Sequence, residues 1–124
     1  MDLNELLQRH CVELPKGTPT LTPAQVQEYV PLVPDWEVVN DGKGLRREIR
    51  FDDFMATITF THLIAEIAED EQHHPDIDIH AYRWVTLDLS THSIGGLSEN
   101  DFIMAARINQ LLNMAPELGS GQPS

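Results

Sequence analysis

Two pairs of short strand-like segments, separated by one long helical segment, constrain the fold of this 124-residue chain. In the first pair, residues 36–39 and 45–51 flank the run 40–44, which is rich in turn-forming Asn, Asp and Gly. In the second pair, residues 77–79 precede residues 84–90, where apolar and polar side chains alternate. Because strands that follow each other closely pair as antiparallel neighbours, we predict a four-stranded antiparallel sheet.

Helical segments lie before, between and after the two strand pairs. A capping box at residues 22–25, with proline in the first helical position, predicts a short helix. Asp52 is the predicted N-cap of a long helix over residues 53–72, and Ser98 precedes a predicted last helix over residues 99–114. The order α-β-β-α-β-β-α predicts an α+β domain with the helices packed on one face of the sheet.

The length of the chain predicts one domain with flanking segments. Residues 1–20 read as an N-terminal extension, with a short helical turn over residues 2–8 and a connector containing Pro and Gly. The folded unit is predicted to cover residues 21–115, so that His10 lies outside it. Residues 116–124 contain Pro, Gly and Ser and are predicted to form a flexible tail.

Composition excludes several classes of partner. Eight basic residues against twenty acidic ones give a formal net charge of −12, which repels nucleic acid and anionic membrane surfaces. We therefore expect no nucleic-acid and no membrane partner. Cys11 is the only cysteine, which excludes an intrachain disulfide and a cysteine-based zinc site and fits a reducing compartment. The start of the chain lacks the cationic segment of a secretory signal, so a cytoplasmic location is expected.

Three histidines are the candidate acid/base residues of this sequence. His73 and His74 stand before Pro75, which disfavours helical geometry at its predecessor and so ends the long helix at the pair. His92 follows the last predicted strand. Histidine exchanges protons near neutral pH, which indicates acid/base chemistry. Glu69 and His73 could also present two metal ligands on one helix face, but adjacent histidines point apart and we predict no metal.

The spacing of these residues resembles the signature of the pterin-4a-carbinolamine dehydratase family. The resemblance extends from about residue 21 to residue 109 and rests on a set of positions that must coincide: Glu69, His73, His74, Pro75, Tyr82, His92 and Asp101. It implies dehydration of a 4a-hydroxytetrahydropterin to the quinonoid dihydropterin, a step that recycles the pterin cofactor of aromatic amino acid hydroxylases. It also implies that no metal or organic cofactor is needed.

Site residues follow from the resemblance position by position. The implied catalytic residues are His73, His74, His92 and Glu69. The implied substrate-binding residues are Asp76, Ser90, Thr91 and Asp101. The division of acid from base among the histidines stays open.

Structural interpretations stand beside these roles. Glu69 lies one helical turn before His73, a spacing that commonly gives only an exposed pair. Asp101, three residues after Ser98, is favoured as a helix cap. His92 is open to a role as a buried loop histidine, and we expect His62 and His80 to be structural or surface residues.

The resemblance leaves one alternative of a different class, an interaction protein built on the dehydratase scaffold. Relatives are known as dimerisation partners of a transcription factor, and one branch serves as a Rubisco assembly factor of α-carboxysomes without dehydratase activity. A homodimer or tetramer is expected in either case, because a small sheet leaves an edge strand to protect. The strand at residues 84–90 and the helix at residues 53–72 are the predicted interface.

Overall fold

The sheet occupies the centre of the molecule. The computed structural model describes residues 1–115, and its strands are β1 (Glu37–Val39), β2 (Gly44–Arg50), β3 (Asp76–His80) and β4 (Trp84–Leu89). They form one antiparallel four-stranded sheet in the order β1-β2-β4-β3, in which Leu45 is opposite Leu89 and Ile49 is opposite Val85. The predicted sheet and α+β class are confirmed. The sheet is open, with β1 and β3 at its edges.

The helices also follow the predicted order. They are α1 (Leu3–Gln8), α2 (Pro23–Tyr29), α3 (Phe54–Glu71) and α4 (Glu99–Met114), with short 3₁₀ turns at Val30–Leu32 and His92–Ile94. The N-cap of α3 is Asp53, whose side chain accepts a hydrogen bond from the Ala56 N–H at 2.8 Å. The prediction of Asp52 was therefore wrong by one residue. Within residues 1–115, no helix is both long enough and apolar enough to span a membrane.

Alternation along the strands builds the core. Leu45 and Ile49 of β2 and the odd-numbered residues of β4 are almost fully buried on one face of the sheet. Phe60 and Ile64 of α3, together with much of α4, belong to the same core. Arg47 lies between the two apolar positions of β2, and its guanidinium donates to the Asn109 side chain on α4. The helices therefore pack on one face of the sheet. Helix α3 ends there, just before His73 and His74.

The N-terminal residues are part of the folded body. Leu6 in α1 is fully buried within the hydrophobic core, and α1 packs against α4. His10 contacts the Glu71 carboxylate through Nδ1 at 2.8 Å. The prediction that His10 lies outside the folded unit was wrong. The extension buries Leu6 in the core, and His10 contacts a carboxylate of the domain. The predicted tail at residues 116–124 lies outside the described residues.

The position of β4 also corrects the predicted interface. β4 pairs with β2 on one side and β3 on the other, so it has no free edge to offer a second molecule. The neighbouring edge strand β3 instead exposes Ile77 and Ile79. The other predicted element, α3, does expose large apolar side chains, namely Phe54, Met55 and Ile58.

Candidate active site

Two histidines lie in the short connection between α3 and β3. Gln72 adopts a left-handed conformation with φ of 53°, which ends the helix. The His73 N–H still donates to the Ala68 carbonyl at 3.2 Å, so the backbone of the first histidine is tied to the last helical turn. Pro75 then leads directly into β3. The helix end and the strand start therefore fix the backbone on both sides of His73 and His74.

His73 is held by a buried carboxylate. Its Nε2 lies 2.7 Å from Asp101 Oδ1, the Asp101 side chain is fully buried, and the His73 side chain is 11% exposed. Asp101 also accepts hydrogen bonds from the Thr91 hydroxyl at 2.8 Å and the Ser98 N–H at 3.0 Å. Because a carboxylate can only accept, the contact with Asp101 requires the proton on His73 Nε2. The free ring nitrogen of His73 is then Nδ1.

Asp101 owes its position to the start of α4. Ser98 is the N-cap of this helix, and its side chain and that of Asp101 form the predicted capping box. The Thr91 hydroxyl donates to Asp101, so at the 2.7 Å contact between the two hydroxyls Ser98 donates to Thr91. The capping interpretation of Asp101 is confirmed, and its second oxygen contacts His73.

Glu69 pairs with the second histidine. Its Oε2 lies 2.5 Å from His74 Nε2, and both side chains are exposed, at 70% and 54%. The helical spacing of Glu69 and His73 had predicted a pair between those two residues. That pair does not form, because His73 lies beyond the helix end and turns to Asp101.

Three further predicted residues line one cavity. Asp76, Ser90 and His92 surround a space of about 400 Å³ together with Arg46 and Lys43. Ser90 donates its hydroxyl to the Lys43 carbonyl at 2.9 Å, which ties the end of β4 to the β1–β2 turn. His92 is exposed in its 3₁₀ turn, so the interpretation as a buried loop histidine was wrong. This cavity is lined by residues of both charge signs.

Comparison with known proteins decides the family. The sequence model described as "Pterin 4 alpha carbinolamine dehydratase" matches residues 19–111. The chain belongs to the pterin-4a-carbinolamine dehydratase family. A protein of Xylella fastidiosa, provisionally named as such a dehydratase, is 46% identical over 110 residues, which cover 89% of this chain and 94% of the relative. A similarly named protein of Stenotrophomonas maltophilia is 42% identical over 115 residues, or 93% of this chain and 98% of the relative.

Solved structures share the dehydratase fold. A transcriptional coactivator/pterin dehydratase from Brucella melitensis matches with a TM-score of 0.70 and 31% identity, covering 75% of this chain and 98% of that chain. A pterin dehydratase-like protein described as a RuBisCO assembly factor in the α-carboxysome matches with a TM-score of 0.54 and 23% identity. It covers 62% of this chain and 88% of that chain, and at this identity the likeness shows the fold alone.

Sequence reasoning missed Glu71, a buried carboxylate two residues before His73. Its buried carboxylate accepts hydrogen bonds from the Cys11 N–H at 2.7 Å and contacts His10 Nδ1 at 2.8 Å. Burial alone would raise the pKa of Glu71, but these hydrogen bonds and the charge of Arg107 outweigh it and lower the pKa from its ordinary value. The buried stripe of α3 could have revealed it, since Glu71 continues the helical spacing of Phe60, Ile64 and Ala68.

Cys11 and metal ligands add no further chemistry to the site. Burial, the charge of Glu71 and a hydrogen bond raise the pKa of the Cys11 thiol to about 12, so the thiol stays protonated and unreactive near neutral pH. Among residues 1–115, no group of three or more His, Cys, Asp or Glu side chains is arranged to hold a metal ion.

Proposed function

We propose that this protein dehydrates 4a-hydroxytetrahydropterin to the quinonoid dihydropterin by histidine acid/base catalysis. The family supplies the reaction class, and the step would serve the recycling of a reduced pterin cofactor in the cytoplasm. The observation that carries the proposal is the pair of His73 and the buried Asp101, which orients one ring and fixes its tautomer. No metal or organic cofactor takes part in the proposal.

The reaction needs one base and one acid. Loss of the N5 proton supplies the electron pair of the new C4a=N5 double bond, while hydroxide leaves C4a with a proton and becomes water. His73 donates a hydrogen bond from Nε2–H to Asp101. We therefore assign Nδ1 of His73 as the nitrogen that accepts the N5 proton. His74 and His92 are the two groups available to protonate the departing hydroxide. The pterin is proposed to lie between His73 and His92, with Thr91 beside His73 and with Asp76 and Ser90 beside His92 as binding residues.

His74→Ala should slow dehydration about 100-fold, at the lower end of what one general acid or base contributes, because water can reach an exposed site and replace part of its role. The measurement is stopped-flow turnover of freshly generated 4a-hydroxytetrahydropterin. His62→Ala is the matched control, since His62 is an exposed histidine on α3 away from the connection. A wild-type rate equal to the uncatalysed rate would overturn the proposed enzyme.

The alternative role in Rubisco assembly ranks second. The likeness to the RuBisCO assembly factor, at 23% identity, shows only that the two chains share a fold. The family relatives at higher identity carry dehydratase names, and the buried carboxylate that orients His73 supports chemistry. We therefore place catalysis first, with a pull-down for a protein partner as the next step if turnover is absent.

We also propose that the protein assembles as a homodimer or tetramer through β3 and α3. The edge strand exposes Ile77 and Ile79, and α3 exposes Phe54, Met55 and Ile58. β3 also leaves one row of its backbone groups without a neighbouring strand in the sheet. Apolar side chains beside an unpaired strand edge are typical of surfaces that a second copy covers.

Ile79→Asp should convert the assembly to a monomer, because a carboxylate would be desolvated at the proposed interface. The measurement is the solution mass by light scattering, to be compared with 14.0 kDa for one chain. Val38→Asp is the matched control, because Val38 lies on the opposite edge strand and is 36% exposed, against 37% for Ile79. A monomeric wild type would exclude the proposed assembly.

A further inference from the structure

Residues 9–16 cross the domain surface as an extended segment, which we call the N-terminal strap. Helix α1 anchors its start through the buried Leu6, and Arg107 donates to the Arg9 carbonyl at 2.7 Å. Farther along, the Val12 N–H donates to Asn100 Oδ1 at 3.0 Å, and Asn100 Nδ2 donates back to the Val12 carbonyl at 2.7 Å. The backbone of the strap is therefore held by specific hydrogen bonds to the domain.

The domain residues that hold the strap are neighbours of the site residues. Glu71, which binds His10 and the Cys11 N–H, lies two residues before His73. Asn100 directly precedes Asp101, the carboxylate partner of His73. Ser93 follows His92 and donates its hydroxyl to the Leu14 carbonyl at 2.9 Å. The strap is thus bound by residues that lie next to His73, Asp101 and His92 in the sequence.

A cavity of about 570 Å³ lies between the strap and the site. Six consecutive strap residues, 11–16, form one side of it, and His73 and Thr91 are on the other side. This volume lies within the range of small-molecule sites. The match to the family model begins only at residue 19, but the 115-residue match to the Stenotrophomonas maltophilia protein includes most of the strap, so this wall is shared with that relative.

We propose that the strap is the substrate-contacting wall of this cavity and determines how tightly the pterin is held. The inference rests on the proposed dehydratase function and names a part of the same site. The N–H groups of Cys11 and Val12 donate to the domain, while Glu13 and Lys16 bring one charge of each sign to the strap side of the cavity and Glu71 adds a carboxylate on the domain side. A polar lining of this kind suits the hydrogen-bonding ring of a reduced pterin. The acid/base groups stay on the domain.

The test compares Val12→Pro with Val12→Ala in the full-length protein. Proline removes the N–H that donates to Asn100, whereas alanine keeps it and removes only side-chain atoms that are largely exposed. KM and kcat are measured by stopped flow, and the dissociation constant is measured with 7,8-dihydrobiopterin, a stable reduced pterin. We expect KM and the dissociation constant of Val12→Pro to exceed those of Val12→Ala about tenfold, with kcat within twofold.

A second pair of variants tests the other anchor. Ser93→Ala removes the hydroxyl that holds Leu14, whereas Ser93→Thr keeps a hydroxyl, so the increase in KM should occur in the first and be reversed in the second. This pair decides the question if Val12→Pro does not fold. If the protein turns over normally and KM is equal within both pairs, the proposed role of the strap is wrong while the dehydratase function stands. A loss confined to kcat would have the same meaning. Absence of both turnover and dihydrobiopterin binding in the wild type would instead overturn the dehydratase function together with the strap.

Discussion

Asp101→Asn is expected to lower the rate of pterin dehydration about 10⁴-fold, the loss found when the carboxylate behind a catalytic histidine becomes an amide. Asp101 accepts hydrogen bonds from His73, Thr91 and Ser98. An amide has only one acceptor oxygen, and its NH₂ group would meet the donors on the other side. The ring of His73 would then turn or change its tautomer, which removes the base from Nδ1.

The rate is measured by stopped flow, and thermal unfolding checks that the variant is folded. The network is buried, so a loss of about 1–3 kcal/mol of unfolding free energy is expected from one poorly satisfied group. Asp70→Asn is the matched control, since Asp70 is an exposed carboxylate close to the end of α3. His73→Ala combined with Asp101→Asn should be no slower than His73→Ala alone, because the two residues act as a unit. Additive losses would show that Asp101 acts independently of His73.

Much of the fold was predictable because the strands carry their own pattern. Val85, Leu87 and Leu89 alternate with polar residues, and all three are buried as predicted. The order of the strands was less accessible. Whether β4 lies at an edge or inside the sheet depends on which strand pair joins which, and residues 44–50 pair with residues 84–89 across a whole intervening helix. Local periodicity does not indicate that choice, so the interface was predicted at the inner strand β4 rather than at an edge strand.

The site was predictable by resemblance, and its connections were not. The signature placed both His73 and Asp101 in the site, yet the contact between them joins residues 28 positions apart. The pairing expected from local spacing, Glu69 with His73, was replaced by Glu69 with His74. The reason is a single left-handed residue, Gln72, which takes the two histidines off the helical path. A conformation at one residue therefore decided which carboxylate orients which histidine.

The short helix at the start of the chain was predicted, but its packing into the folded unit was not. A six-residue helix followed by Pro15, Gly17 and Pro19 reads as a loose lead-in, because short helices are marginal on their own. In the structure, the extension gains its stability from tertiary contacts: Leu6 enters the core, and the strap binds Glu71 and Asn100. The partners of these residues are 60 or more positions away, beyond the reach of local pattern.

Leu6→Ala is expected to lower the free energy of unfolding by about 2–5 kcal/mol, the usual loss when a fully buried leucine leaves a cavity. Leu3→Ala is the matched control in the same helix, because Leu3 is 42% exposed and its truncation should change the free energy by no more than about 0.5 kcal/mol. Urea denaturation followed by tryptophan fluorescence gives both values, since Trp36 is buried in the core that Leu6 shares.

The comparison of the two leucines determines whether α1 unfolds with the domain. If α1 detached before the main transition, Leu6→Ala would lower the free energy of unfolding measured by tryptophan fluorescence as little as Leu3→Ala does. The cooperative unit would then begin near residue 21. A loss of about 2–5 kcal/mol in that free energy would show that α1 unfolds together with the core. The strap, which continues directly from α1 to the site, would then be tethered by the same core that positions α4, Asp101 and His73.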